Sequence, residues 1–334
     1  MFKRLSDRRG SVVYGVGIVF ILWFLSQVYL LFYKPIGLAL DNFTVRSNTS
    51  ASALVKQLNM QGIYSSPTLL LMAIRIMGLS SKLQAGYYQI NPEDTAWQLV
   101  QKIIHGDVIV KTFTIVEGTN FNQLMLQLSK TTYFNVNPVK FNELCKNRQS
   151  CEGLFLAETY QYQGGSTKQR ILEEANRELW RVLNEQWSSR DKTLPYKTPY
   201  EMLIAASIIE KETAQSRERR LISGVIVNRL NKKMKLQMDP TVIYAMGKDY
   251  KGDITRGDLS RHSPFNTYYV KGLPPTPIAM VGKESIKAAA QPLKTNYLYF
   301  VAKGDGSHIF SVNYQQQQQA VKKYQLNGGL PSAR

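Results

Sequence analysis

Between Arg9 and Lys34 the chain has 24 residues without a charge, and the run from Val12 to Tyr33 is dominated by Val, Ile, Leu, Phe, Trp and Tyr. At ~1.5 Å per helical residue such a run crosses a hydrocarbon core of ~30 Å. The pattern predicts a transmembrane helix over 12–33, with Tyr14, Trp23, Tyr29 and Tyr33 as candidates for the interfacial belt. Lys3, Arg4, Arg8 and Arg9 precede it, and the positive-inside rule keeps residues 1–11 in the cytoplasm. A cleaved signal peptide would have a shorter apolar run and a small-residue cleavage site, and neither is seen.

Past the anchor the pattern changes. A strand-like stretch, a polar turn and an amphipathic helix recur three times, starting at Val45, Ile90 and Ile115. Six residues on stand Ala51, Ala96 and Phe121; then Leu54, Leu99 and Leu124; then Leu58, Ile103 and Leu128, all on one helical face. Ser50, Asp94 and Asn120 lie in turns whose side chains can cap the next helix, and Gly62, Gly78 and Gly106 punctuate the helix ends. Residues 41–113 therefore read as a small α+β module. Beyond them, 167–187 predicts an amphipathic helix through Ile171, Leu172, Ala175, Leu179 and Leu183. Gln315–Gln319 reads as a polar helix surface or tail, and Arg229, Lys232, Lys233 and Lys235 as charges that compensate a helix C-terminus.

Composition sharpens this picture. The 334 residues carry 42 Lys+Arg against 24 Asp+Glu, a net charge of +18, with 44% hydrophobic residues. That is a globular composition with an anionic partner in prospect. Residues 1–34 hold +4 of the charge, 35–115 hold +2 and 116–334 hold +12. With the N-terminus inside, the basic body lies outside the inner membrane, so chromosomal nucleic acid is excluded and an anionic wall polymer is favoured. Three histidines and two cysteines offer no metal set, and no cofactor motif is present. Cys145 and Cys151 would meet an oxidising compartment, where their spacing suggests a bridge.

The chemistry concentrates after Thr198. Thr198-Pro199-Tyr200-Glu201 is a helix start with a capping box, and Met202–Ile209 is apolar nearly all round, so this helix is buried on most sides. It delivers Glu210 and Glu212, about 200° apart, so at most one faces a given pocket. Burial strips such a carboxyl of water and favours the protonated form that a general acid needs. A second helix carries Leu221, Ile222, Val225, Ile226 and Leu230, with Glu218 in its first turn in a capping role. Asp239-Pro240 reads as another helix cap, with Gly247 as the stop, so Asp239 is a structural cap or a second carboxylate.

The order of motifs is more specific than any one of them. Ala205-Ala206-Ser207-Ile208-Ile209-Glu210-Lys211-Glu212-Thr213, Asn228-Arg229-Leu230, Leu236-Gln237-Met238-Asp239-Pro240-Thr241-Val242, Asn266-Thr267-Tyr268 and Gly272-Leu273-Pro274-Pro275 follow one another. Lys287–Ala290, Tyr297–Val301 and His308-Ile309-Phe310 follow in turn. In this order the chain resembles the endolytic murein transglycosylase family (MltG/YceG-like). The resemblance covers the exported body and is weaker before residue 113, where the repeat looks like that family's LysM-like subdomain. It implies an α+β protein with a transmembrane helix, a LysM-like module over 41–113 and a larger mixed α+β catalytic domain over 114–334.

The implied reaction is a lytic one, without cofactor or metal. The bond between N-acetylmuramic acid and N-acetylglucosamine in nascent glycan is cut, and the muramic acid C6 hydroxyl closes a 1,6-anhydro ring. Glu210 matches the family's catalytic glutamate by position. It would protonate the glycosidic oxygen and then take the C6 hydroxyl proton, the tethered nucleophile replacing a second carboxylate. Gln237, Asp239, Thr241, Asn228 and Asn266 are candidates for the substrate-binding lining, each equally able to be a cap or a loop hydrogen bond. Such an enzyme would end glycan elongation, with peptidoglycan synthases as natural partners, at the inner membrane with its body in the periplasm. The alternative is a membrane-anchored, non-catalytic peptidoglycan-binding scaffold. Four departures from the family pattern bear on the cleft wall: Thr276, Phe265, the stretch Leu156-Ala157-Glu158-Thr159-Tyr160, and Gln317.

Overall fold

Helix α1 (Phe2–Phe32) realises the apolar run, and its window Gly15–Phe32 is long and apolar enough to span a membrane. The computed structural model describes residues 2–135, 137–145, 148 and 150–326, with their side chains except those of 2–14, 41, 42 and 326. The basic flank Lys3, Arg4, Arg8 and Arg9 and the belt candidate Tyr14 therefore lie outside the described side chains. The chain divides into two compact units, one of Met1–Lys111, Thr132–Val136 and Gln161–Thr167, the other of Thr112–Thr131, Asn137–Tyr160 and Lys168–Arg334.

In the first unit, strand β1 (Leu40–Val45) leads to α2 (Ala51–Met60) and α3 (Pro67–Ile76). Strand β2 (Gly86–Ile90) precedes α4 (Ala96–His105), and β3 (Val110–Thr114) carries the chain into the second unit. β1 and β2 are antiparallel, with Phe43 opposite Tyr88 and Val45 opposite Gly86. Their alternate residues Phe43, Val45, Tyr88 and Ile90 bury one face of the pair. Leu54, Leu58, Leu99 and Ile103, the repeat positions, close the same core. Ser50 accepts the Ala53 N–H, and Thr95 with Gln98 forms a full capping box, so the cap of the second turn is Thr95, one residue after Asp94. Gly106 ends α4 at φ 73°, where a side chain would be strained. The last turn of α1 joins this core: Leu31 is buried and the Phe32 ring lies 5.3 Å from Trp97.

The second unit begins with α5 (Phe121–Lys130), whose capping box is Asn120 with Gln123, followed by α6 (Phe141–Cys145). Cys145 is disulfide-bonded to Cys151, with their Cα atoms 5.2 Å apart. β4 (Thr159–Gln163) leads to the amphipathic α7 (Lys168–Ser189), which buries Ile171, Leu172, Ala175, Leu179 and Leu183. Then come α8 (Pro199–Glu212), α9 (Ser216–Asn231), α10 (Asp239–Met246), α11 (Arg256–Leu259) and α12 (Lys283–Ala290). The antiparallel pair β5 (Tyr299–Ala302) and β6 (His308–Ser311) precedes α13 (Tyr314–Val321), which contains the glutamine run. α8 is the central rod, packed by α7, α9, α10 and α12. The mixed α+β class and the apolar N-terminal helix agree with the expectation from sequence.

Candidate active site

α8 starts as expected, with Thr198 accepting the Glu201 N–H at 3.2 Å and Pro199 in the first turn. The capping box itself does not form. Glu201 accepts instead from the Lys197 N–H at 2.6 Å, one residue upstream of the cap. Met202 through Glu210 are buried without a break. Within that apolar cylinder Ser207 is satisfied twice: it donates to the Ile204 carbonyl and accepts the Ile278 N–H at 3.0 Å. The helix stops at Thr213, so its last turn carries Glu210 and Glu212 on opposite sides.

Glu210 enters a closed polar node. Oε1 lies 3.2 Å from Arg219 Nη2 and Oε2 accepts the Gly282 N–H at 2.9 Å, with only 3% of the side chain exposed. Arg219 also pairs with Glu117 Oε2 at 3.5 Å. Glu117 lies against the Cα of Gly282, where any Cβ would collide with its carboxylate. Partial burial, and then the charge of Glu210, push the Glu117 carboxyl above its ordinary range. One guanidinium thus ties two carboxylates and the start of α12 together.

Glu212 meets the opposite conditions. Its Oε2 is sealed from solvent and has no hydrogen-bond partner among the described residues. Burial, and after it the charge of Asp239, push its carboxyl up to about 8, with Arg229 opposing more weakly. Desolvation of this kind favours the protonated form of the carboxyl. Asp239 is not the cap expected for α10, because no side chain caps that helix. Its Oδ1 accepts the Tyr268 hydroxyl at 2.5 Å. Burial, and then Asp239, raise the Tyr268 phenol, which keeps it a donor. Arg229 is a buried anchor instead of a helix-end surface charge. Nε donates to the Leu298 carbonyl, and Nη1 to the carbonyls of Lys235 and Leu236 and to Gln237 Oε1 at 3.1 Å.

The expected lining residues separate into two groups. Gln237 and Asp239 are exposed beside Arg229 and Tyr268, and Gln237 has a left-handed φ of 52° that aims the loop entering α10. Thr241 is fully buried, donating to the Met238 carbonyl with its oxygen 2.8 Å from Thr267 Oγ1. Asn266 is equally buried and its amide braces the carbonyls of Asp258, Leu259 and Arg261. Asn228 holds the carbonyls of Thr295 and Tyr297 ahead of β5. These three shape the loops that carry the other two. Glu218 also departs from its expected capping role: it receives the His308 N–H at 3.0 Å and contacts His308 Nδ1 at 2.7 Å, clipping β6 to α9. Sequence reasoning missed Tyr268, Arg229 and the environment of Glu212; the spacing of Glu210 and Glu212 by two residues was the available signal.

The arrangement pairs Glu212, half-buried with one oxygen sealed, with an exposed carboxylate, Asp239, on neighbouring helices. Among known proteins, the sequence model of the YceG-like family matches residues 43–323. The chain belongs to the YceG-like family. It is 30% identical over 306 residues to the endolytic murein transglycosylase of Bacillus subtilis (strain 168), covering 85% of this chain and 84% of that one. To the endolytic murein transglycosylase of Streptococcus pneumoniae serotype 2 it is 26% identical over 274 residues, 70% of this chain and 49% of that longer relative. Among solved structures, a yceG-like protein of Listeria monocytogenes superposes with a TM-score of 0.51 at 26% identity, covering 84% of this chain and 98% of that one.

Proposed function

We propose that the protein is an endolytic lytic transglycosylase that cuts the β-1,4 bond from N-acetylmuramic acid to N-acetylglucosamine in peptidoglycan strands, with Glu212 as the acid. The names of its relatives supply the reaction class. The observation that carries the residue assignment is the sealed, unpartnered Glu212 oxygen beside Asp239. Glu210, the acid that motif position implies, accepts one contact on each oxygen, from Arg219 and from the Gly282 N–H, and is the alternative donor, tested by Glu210→Gln in the same digestion.

In the reaction Glu212 gives its proton to the glycosidic oxygen, and the C1–O bond breaks as an oxocarbenium-like centre forms. The muramic acid C6 hydroxyl adds to C1, and the Glu212 carboxylate takes the hydroxyl proton. No water is consumed, and the acid is regenerated. Asp239, held by Tyr268, presents a negative charge to the developing cation, while Gln237, held by Arg229, lines the approach. The intramolecular hydroxyl has a high effective concentration, which removes the need for a second carboxylate to activate water.

The same reading places α1 in the inner membrane with residues 1–11 in the cytoplasm and the body in the periplasm. The Cys145–Cys151 disulfide supports an oxidising location for that body. Residues 41–113 serve as a LysM-like glycan-binding module ahead of a catalytic domain over 114–334. Cleavage of nascent strands near the membrane would end their elongation, which makes peptidoglycan synthases fitting partners.

The test is digestion of uncrosslinked glycan followed by mass spectrometry. Products with anhydro ends, one water lighter than hydrolytic ends, are expected from the wild type and not from Glu212→Gln. Reducing ends alone would make the enzyme a hydrolase, and full activity in Glu212→Gln would remove Glu212 from the chemistry.

A further inference from the structure

α5, α8 and α10 contribute walls to an open groove of about 630 Å3 that contains neither Glu210 nor Glu212. Two of its lining residues are sequence neighbours of the proposed reaction centre, one on each of two helices. Lys211 precedes Glu212 on α8, and Pro240 follows Asp239 on α10. Pro240, Ile243, Tyr244 and Gly247 recur at helical spacing, so the groove follows one face of α10 away from Asp239.

The walls combine three kinds of surface. Leu126 is 57% exposed, and with Tyr250 it gives an apolar strip. Asn122 projects an exposed amide that bonds to no other described residue. The third surface is cationic. Lys211 reaches the Gly118 carbonyl at 3.1 Å, and Lys248, fully at the surface, has no ion pair among the described residues. The one lining carboxylate, Glu152, is buried. It accepts the Phe121 N–H at 2.9 Å and the Tyr244 hydroxyl at 3.0 Å, and burial raises it to about 7. The groove therefore offers uncommitted positive charge and an amide next to a place where a chain polymer would be cut.

We infer that this groove is a subsite for the acidic peptide stem borne by the muramic acid next to the scissile bond, with the stem carboxylates at Lys248 and Lys211. It rests on the transglycosylase reading above and adds the part of the substrate that reading leaves unplaced. A bare glycan would leave the Lys248 ammonium without a partner, so the site discriminates stem-bearing strands from denuded ones.

The experiment compares uncrosslinked strands carrying stem peptides with the same strands after amidase removal of the stems. Lys248→Ala should raise KM on stem-bearing strands roughly tenfold, the loss of about one charge-assisted contact, with kcat within about twofold. On denuded strands it should behave as wild type, and Lys232→Ala, which removes an equal charge elsewhere, should change neither. Equal effects on both polymers, no effect at all, or the same effect from Lys232→Ala would overturn the stem subsite. Binding of the two polymers to Glu212→Gln is measured alongside. Wild type that cleaves neither polymer refutes the transglycosylase reading; stem-independent binding refutes the groove whatever the cleavage result.

Discussion

The two sides of α8 treat a carboxylate in contrary ways. On the Glu210 side a guanidinium and a backbone N–H each hold one oxygen, and the same guanidinium also pairs with Glu117. On the Glu212 side one oxygen is sealed without a partner among the described residues, and the charge of Asp239 acts on it more strongly than that of Arg229. The first environment stores structural order, and the second favours the protonated carboxyl. Two glutamates separated by one lysine thus take different tasks because a helix turns about 200° between them.

The sharpest way to break this contrast is Glu212→Gln. Loss of the acid should lower kcat by about 10² to 10⁴ in a glycan-release assay while thermal unfolding changes little. Stability offers a finer check on the same residue. Its native carboxyl titrates near 8 and its unfolded one near 4.5, so the native state binds the extra proton and wild-type stability falls as pH rises across that window. Denaturant titration at pH 8 should find Glu212→Gln at least as stable as wild type, and a clear loss would contradict the desolvated acid.

The opposite side should respond through folding. Arg219→Met strands Glu210 as a buried ion and should cost about 3 kcal/mol in denaturant unfolding. Activity per folded molecule should fall far less than in Glu212→Gln, and a variant that stayed stable yet inactive would move the chemistry toward Glu210.

Asp239→Asn sharpens the comparison by altering only the second cause of the Glu212 shift. The alkaline limb of the kcat/KM profile should move to lower pH by on the order of one unit, because burial, the larger cause, remains. An unmoved limb would separate the two carboxylates. The smallest effect belongs to Tyr268→Phe, which removes the donor that fixes Asp239; a loss of roughly tenfold in kcat with unchanged KM is expected.

Much of the local structure was legible along the chain. The positions Leu54, Leu99 and Leu124, with Leu58, Ile103 and Leu128 one turn later, are all at or near full burial, because helical period and apolarity together leave one face to hide. Ser50, Asn120 and Thr198 cap helices for a reason contained within three residues, whereas the cap expected at Asp94 falls on Thr95. Long-range partners were not legible in this way. Glu218 reads as a first-turn charge until His308, 90 residues away, is seen to hold it. Arg229 reads as a surface cation until the loop before α10 wraps it in carbonyl oxygens. Asp239 reads as a cap until Tyr268 takes its oxygen.

Sequence alone determined that this chain has a membrane-length apolar helix, a basic body and a motif order shared with a murein-cleaving family. Those properties depend on composition, period and spacing, which act along the chain. Tertiary structure decided how differently the two glutamates are housed. Desolvation and neighbouring charge depend on what α9, α10 and α12 bring to each side of α8, and none of those contacts is encoded in the spacing of the two residues themselves.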